Sequence, residues 1–175
     1  DETVAREDFV NGTPVMAALY GIDVLTKARW GGYPDLVVSG PNEGHNLGSI
    51  TNNSGTIGAA NIAIARNIAT IGISAGSEDE ANANLVADVL INVIDQLVTQ
   101  QKEGEALLPN FTGLNINTPK DMANHNGIRF TQVGWNTNDF DGFFTEDLST
   151  DEGALNYVAQ QVLKKVPSFT LDQAV

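Results

Sequence analysis

The stretch PDLVVSGPNEGHNLGSITNNSGT, residues 34–56, decides the fold. Its apolar start predicts a short buried strand over 35–39, which leads into a loop crowded with Gly, Asn, Ser and Thr. Ser54 is placed to cap a helix over 55–67, and residues 70–74 predict a second buried strand. Strand, loop, helix and strand in this order form a βαβ unit, whose two strands run parallel. Continuous apolar strands favour an α/β domain with a sheet covered on both faces.

Helices are also predicted on both sides of this unit. Upstream, Thr13 and Pro14 form a helix start, and apolar residues at helical spacing continue over 14–28. Downstream, residues 77–80 form an S-x-x-E capping box. Behind the box, apolar residues recur in pairs every four positions over 85–98, which predicts a helix packed on the sheet.

The second half of the chain gives weaker signals. Residues 114–117 predict a strand that Thr118 and Pro119 end. Residues 128–133 alternate apolar and polar side chains, which predicts a further strand with one wetter face. Thr150 is placed to cap a last helix over 152–164.

Composition limits the class of protein. The 175 residues, 42% of them apolar, suffice for one ordinary domain with a core, and no apolar window approaches the length of a membrane span. A net charge of −13 gives no basic surface for a nucleic-acid polymer. The absence of cysteine excludes disulfides, thiolate nucleophiles and Cys-based zinc sites, and with the acidity it slightly favours a periplasmic or secreted location. The start lacks Met, which suggests a fragment or a processed chain.

The loop after Ser39 has the composition of a binding site. Ligands in open α/β sheets bind outside the carboxyl ends of the strands, where this loop is expected. Asn42 and Asn46 offer amide oxygens, which hard cations accept beside carboxylates and water. Residues 54–56 open a helix, and free N–H groups at a helix start bind phosphate without Lys or Arg. The same residues also fit a simple connecting turn, since the Walker A and dinucleotide fingerprints are absent.

The two histidines leave several roles open. His45 could serve as a general acid or stand as a solvated loop residue. His125 lies in the polar run NHNG, which is typical of a surface turn. Two histidines without cysteine make no zinc quartet, and no G-x-S-x-G elbow supports a Ser-His-Asp triad.

Several ordered motifs resemble those of the SurE family of survival-protein nucleotidases. Residues 34–48, PDLVVSGPNEGHNLG, resemble the family signature, and residues 54–60, SGTIGAA, resemble the S-G-T-[VI]-x-A-A that follows it. Further similar motifs are GTP at 12–14, LLP at 107–109, LNINTP at 114–119 and GIRFT at 127–131. The similarity is strongest over 9–76 and fades beyond residue 134.

The resemblance implies a metal-dependent phosphatase that acts on nucleoside 5′- and 3′-monophosphates with Mg²⁺ or Mn²⁺. It implies a Rossmann-like, mostly parallel α/β sheet with helices on both faces. The SurE-like α/β portion is then expected over residues 1–133. A C-terminal extension over 134–175 is expected to help form a homo-oligomer, a dimer or a tetramer.

The resemblance also assigns site residues. Asn42 falls at the family's metal-binding asparagine, while Asn46 and residues Ser54, Gly55 and Thr56 fall where the family holds the substrate phosphate. His45 occupies a variable position and receives no role. The implied mechanism is hydrolysis in which the metal polarises a phosphoryl oxygen and Ser54, Thr56 and the helix start stabilise the developing charge.

One departure from the family concerns the metal site. In the family this site begins with an Asp-Asp pair in a T-N-D-D-G motif at the end of the first strand, and no Asp-Asp pair occurs in these 175 residues. The first strand and its helix also have no match, so we expect the chain to begin near the family's middle. The catalytic residues are therefore unknown, and the active site is expected to be incomplete in this chain alone. A structural or assembly protein and a regulatory nucleotide-binding module remain open as alternatives.

Overall fold

The computed structural model describes residue 5, residues 9–77 and residues 80–134. No helix within these ranges is long and apolar enough to cross a membrane. In chain order, the elements are helix α1 Pro14–Tyr20, a π-helical turn Gly21–Leu25, helix α2 Thr26–Trp30, strand β1 Leu36–Glu43, a 3-10 turn Gly48–Asn52, helix α3 Gly55–Ile64, strand β2 Ala69–Ala75, helix α4 Glu80–Gln100 and strand β3 Gly113–Asn117.

The sheet has the order β1-β2-β3, and both neighbouring pairs are parallel. Three of the four predicted strands are confirmed, and so is the βαβ unit, in which α3 connects β1 to β2. β2 is the central strand, and its first six residues are buried. Because all three strands run in one direction, their carboxyl ends meet at the same edge of the sheet, which we call the carboxyl edge.

Helices cover both faces of the sheet, as predicted. A Cβ added to Gly72 of β2 would lie 3.3 Å from Ile57 Cδ1 of α3, so this residue faces α3. The next residue, Ile73, packs instead against Val86 of α4 and Met122. Successive strand residues face opposite sides, so α3 and α4 lie on opposite faces. Ile73 and Val86 are fully buried, and each such burial stabilises the fold by roughly 1.5–3 kcal/mol.

Small residues let α1 approach α3 closely. A Cβ on Gly55 would lie 2.7 Å from Pro14 Cγ, and one on Gly58 would lie 2.9 Å from Val15 Cγ2. Thr13 caps α1 as predicted, since its side-chain oxygen accepts a hydrogen bond from an N–H of the first turn. The close contact between α1 and α3 positions the start of α3, which is part of the predicted phosphate site.

Several predicted elements differ from the structure. The helix predicted over 14–28 is interrupted by the π-helical turn Gly21–Leu25, and β1 runs to Glu43 instead of residue 39. α3 ends at Ile64 instead of residue 67, because Asn67 has a φ of +58°, a left-handed conformation that ends helices. The predicted strand over 128–133 is wrong: Ile128 and Phe130 are 75% and 97% exposed, and no described strand lies beside them. Alternation alone cannot form a strand without a backbone partner. The helix predicted over 152–164 lies outside the described residues, as do positions 78 and 79 of the capping box and the extension beyond residue 134.

An ion pair joins the end of α3 to the π-helical turn and should make stability depend on pH. Arg66 donates to Asp23 from Nε at 2.9 Å and from Nη2 at 2.5 Å, and this contact holds the pKa of Asp23 below its ordinary value. The stabilisation is therefore present at neutral pH and is lost as the pH falls through the pKa of Asp23 in the folded protein. Asp23→Asn should lower the urea midpoint at neutral pH, and the difference from the parent should shrink below about pH 4. A difference that stays constant across this range would contradict the prediction.

Candidate functional site

A β-bulge places Asn42 at the carboxyl edge. Ser39 pairs with Gly72 and Asn42 pairs with Ser74, so β1 carries one residue more than β2 between these pairs. The bulge contains Gly40, whose φ is +113° and whose added Cβ would lie 2.2 Å from the carbonyl oxygen of Ile73. Only glycine fits this position without a shift of the backbone. The extra residue sets the register in which Asn42 lies opposite Ser74.

The side chain of Asn42 is held in one orientation. Its Nδ2 group donates to the carbonyl oxygens of Glu43, at 3.0 Å, and Gly44, at 2.9 Å. Both hydrogens of the amide are thereby used. The remaining atom, Oδ1, receives no hydrogen bond from any residue that the structure describes. This oxygen is the atom that a cation would contact.

Asn46 joins the loop to the ends of β2 and β3. It is only 3% exposed, and its Nδ2 donates to Ser74 Oγ at 2.7 Å. Its backbone N–H donates to Asn117 Oδ1 at 2.8 Å, and its carbonyl accepts from Asn115 Nδ2 at 3.1 Å and from Asn117 Nδ2 at 3.3 Å. We call these four residues the asparagine network. Only one of the two Nδ2 hydrogens is used in the bond to Ser74, so the second could donate to a phosphate.

His45 holds two loops together and does not stand free in solvent. Its Nε2 lies 2.7 Å from the carbonyl oxygen of Thr118, and because a carbonyl only accepts, Nε2 must carry the proton. The backbone N–H of Thr118 in turn donates to the carbonyl of Ser74 at 2.9 Å. Gly76 makes this approach possible, since an added Cβ would lie 2.6 Å from His45 Nε2. The proton on Nε2 is therefore engaged with the protein itself.

Removing the hydrogen bond between His45 and the carbonyl of Thr118 should destabilise the protein. His45→Ala should lower the free energy of unfolding by about 1–2 kcal/mol, because it leaves the carbonyl of the buried residue Thr118 without this donor. His125→Ala is the matched control: His125 is exposed, and this change should cost less than about 0.5 kcal/mol. Urea unfolding of the two variants measures the difference. Equal losses would show that the contact between His45 and Thr118 contributes nothing.

The start of α3 presents two unpaired N–H groups. The Ser54 cap is confirmed: its Oγ accepts from the Ile57 N–H at 3.1 Å, and its carbonyl accepts from the Gly58 N–H at 2.8 Å. The N–H groups of Gly55 and Thr56 have no acceptor among the described residues. Unpaired donors of this kind are what an anion binds at a helix start.

Not all predicted site residues contact one another. Ser39 Oγ donates to the carbonyl of Thr56 at 2.9 Å and so fixes the start of α3 to β1. Among the described residues, no hydrogen bond links Asn42 or Asn46 to residues 54–56.

Sequence reasoning missed the supporting residues of this edge. Ser74 lies near the end of β2, Asn117 ends β3, and Asn115 lies two residues before it. All three are hydrogen-bonded to Asn46. The sequence does carry a signal for them. Parallel strands end at one edge of the sheet, so polar residues near the ends of β2 and β3 should lie beside the loop that follows β1. Which of them contact Asn46 depends on the strand register, which the sequence does not show.

The described residues do not form a divalent-cation site by themselves. Within residues 9–77 and 80–134, no three His, Cys, Asp or Glu side chains group so as to hold a metal ion. Asn42 offers one neutral oxygen, whereas hard cations need several oxygen ligands that include carboxylates. The residues present can therefore contribute to the family's metal site but cannot complete it.

Comparison with known proteins decides the family. The family model "Survival protein SurE" matches residues 2–139. The chain belongs to the SurE family. It is 36% identical over 125 residues to a 5′-nucleotidase SurE from Desulforamulus reducens, a match that covers 71% of this chain and 45% of that protein. It is also 33% identical over 123 residues to an acid phosphatase from Yarrowia lipolytica, covering 63% of this chain and 34% of that protein.

The fold agrees with the family. The SurE protein from Aquifex aeolicus superposes with a TM-score of 0.60 at 29% identity, over 71% of this chain and 47% of that chain. The predicted SurE-like α/β fold is thereby confirmed. The chain spans about half the length of the curated SurE relatives that it matches.

Proposed function

We propose that this chain is part of a SurE-type phosphomonoesterase that hydrolyses nucleoside 5′- and 3′-monophosphates with Mg²⁺ or Mn²⁺. The proposal is supported by its similarity to a 5′-nucleotidase SurE and to an acid phosphatase. It also agrees with the position of the candidate residues at the carboxyl edge of a parallel sheet, where ligands of such folds bind.

The free hydrogen-bond donors at the start of α3 are the observation that supports the proposal most strongly. Gly55 and Thr56 offer two free N–H groups, and the helix adds partial positive charge at this end. The Ser54 oxygen accepts from Ile57, so its own hydroxyl hydrogen remains available to donate. These donors suit the equatorial oxygens of a phosphoryl group and would stabilise charge as it develops there. No Lys or Arg occurs in residues 34–56, so the site relies on neutral donors.

The loop residues have two proposed roles. Asn42 contributes its fixed Oδ1 as one ligand of the cation, and carboxylates are needed to complete this site. Asn46 orients the phosphate, with its Nδ2 shared between the substrate and Ser74. The asparagine network gives this group one defined position, which limits the reorganisation needed on binding.

A phosphatase assay tests the proposal. The longest natural protein that contains this chain should hydrolyse p-nitrophenyl phosphate with Mn²⁺ or Mg²⁺, and a chelator should abolish the hydrolysis until metal is restored. Thr56→Pro, which removes one free N–H at the second helical position, should reduce the rate. Hydrolysis that is absent under all metal conditions would overturn the proposal.

A non-catalytic role is the second candidate. The absence of a metal-holding acidic group within the described ranges favours a structural or assembly protein, or a nucleotide-binding module, that reuses the SurE fold. Calorimetry with a nucleoside monophosphate separates these cases: binding without turnover indicates a binding module, and neither binding nor turnover indicates an assembly role. Light scattering tests the proposed homo-oligomer, a dimer or tetramer, in the same sample.

A further inference from the structure

We propose that Asn126 is a site of spontaneous deamidation in which the neighbouring His125 acts as the base. The product is aspartate or isoaspartate at position 126. This inference is independent of the phosphatase proposal, because it rests on the geometry of residues 125–127 alone.

The backbone N–H of Gly127 already points at a base. It donates to His125 Nδ1 at 3.0 Å, so Nδ1 is unprotonated in this contact and the ring proton is on Nε2. The nitrogen of Gly127 is the atom that attacks the side-chain amide carbon of Asn126 when an Asn-Gly pair closes to a succinimide. All three residues are exposed, and nothing lies within 4 Å of the position that a Cβ on Gly127 would take. Neither burial nor crowding opposes ring closure.

Deamidation through a succinimide proceeds in three steps. The Gly127 nitrogen forms a bond to Asn126 Cγ while its proton moves to His125 Nδ1. The tetrahedral intermediate then releases the side-chain nitrogen, which takes the proton from His125 and leaves as ammonia. Water opens the resulting succinimide at either carbonyl, giving aspartate or isoaspartate. His125 is returned to its starting state and acts first as general base and then as general acid.

A second Asn-Gly pair in the chain serves as an internal control. Asn11 is also exposed and is followed by Gly12, but the Gly12 N–H donates to the carbonyl oxygen of Val10 at 3.0 Å. A carbonyl accepts this hydrogen bond but is far too weak a base to take the proton. The Met16 side chain also lies 3.1 Å from the position of a Gly12 Cβ. Asn11 should therefore react more slowly than Asn126 in the folded protein.

Peptide mapping after incubation at neutral pH tests the proposal. Trypsin releases Asn126 in peptide 121–129 and Asn11 in peptide 7–27, and mass spectrometry detects the exchange of an amide NH₂ for OH. We expect Asn126 to convert at least about tenfold faster than Asn11 in the folded protein, as base assistance predicts. His125→Ala and His125→Gln should both slow Asn126 several-fold and leave the rate at Asn11 unchanged.

Three results would overturn the proposal. Equal rates at Asn11 and Asn126 would show that the contact between Gly127 and His125 has no effect. An unchanged rate at Asn126 in both His125 variants would exclude His125 as the base. The same incubation in urea removes the folded geometry, and a rate ratio that persists there would assign the difference to local sequence instead of structure.

Discussion

Gly40→Ala should lower the free energy of unfolding by at least about 3 kcal/mol. The added Cβ would lie 2.2 Å from the carbonyl oxygen of Ile73; its position is fixed by the backbone of β1, and the oxygen belongs to the backbone of β2. Neither can move without opening the pairing of β1 with β2. The φ of +113° at Gly40 adds strain for any residue with a side chain. Urea unfolding followed by circular dichroism measures the loss.

Gly31→Ala is the control that separates strain from collision. Gly31 also has a positive φ, +77°, but nothing lies within 4 Å of its added Cβ. This variant should lose only about 1–2 kcal/mol, which is the cost of a left-handed conformation for alanine. The excess loss in Gly40→Ala then reports the close approach to Ile73. Equal losses in the two variants would contradict the bulge geometry.

Asn42→Ala should reduce metal-dependent phosphatase turnover at least about 100-fold at limiting metal. The variant removes the fixed Oδ1 that we propose as a cation ligand, and it also releases the two loop carbonyls that Nδ2 holds. The metal concentration for half-maximal turnover should rise. Asn42→Asp, which keeps an oxygen at this position, should retain more activity than the alanine variant.

Asn52→Ala provides the matched control for this experiment. Asn52 is exposed on the same loop and has no proposed role, so the variant should keep the parent's turnover and metal dependence. Loss of turnover in Asn52→Ala as well would indicate a general effect on the loop. Unchanged turnover and metal dependence in Asn42→Ala would exclude Asn42 as a ligand.

Local features of the fold could be predicted from the sequence because they depend on neighbouring residues. The caps at Thr13 and Ser54 are hydrogen bonds to an N–H three positions later, which residue order alone suggests. The parallel pairing of β1 and β2 followed from the length of their connection, which only a helical crossover fits.

Features that depend on strand register could not be predicted. The bulge between Ser39 and Asn42 and the bonds from Asn46 to Ser74 and Asn117 join residues far apart in the chain. Their pairing is set by how β1, β2 and β3 align, and a shift of one residue would exchange every partner. The partner of His45 could not be predicted for the same reason, because the carbonyl of Thr118 lies 73 positions away in the chain.

The candidate site also has one part that could be predicted from the sequence and one part that could not. Ser54, Gly55 and Thr56 could be predicted because they form one helix start, and the structure leaves the N–H groups of Gly55 and Thr56 free. The cation site could not be predicted from these residues, since within the described ranges no three His, Cys, Asp or Glu side chains group so as to hold a metal ion.

The most direct test is the release of inorganic phosphate from a nucleoside 5′-monophosphate by the longest natural protein that contains this chain. Parent and Asn42→Ala are assayed side by side, with Mn²⁺, with chelator, and with Mn²⁺ restored after chelation. The proposed function predicts release by the parent that the chelator stops and metal restores, and little release by Asn42→Ala. No metal-dependent release by a folded parent would contradict it.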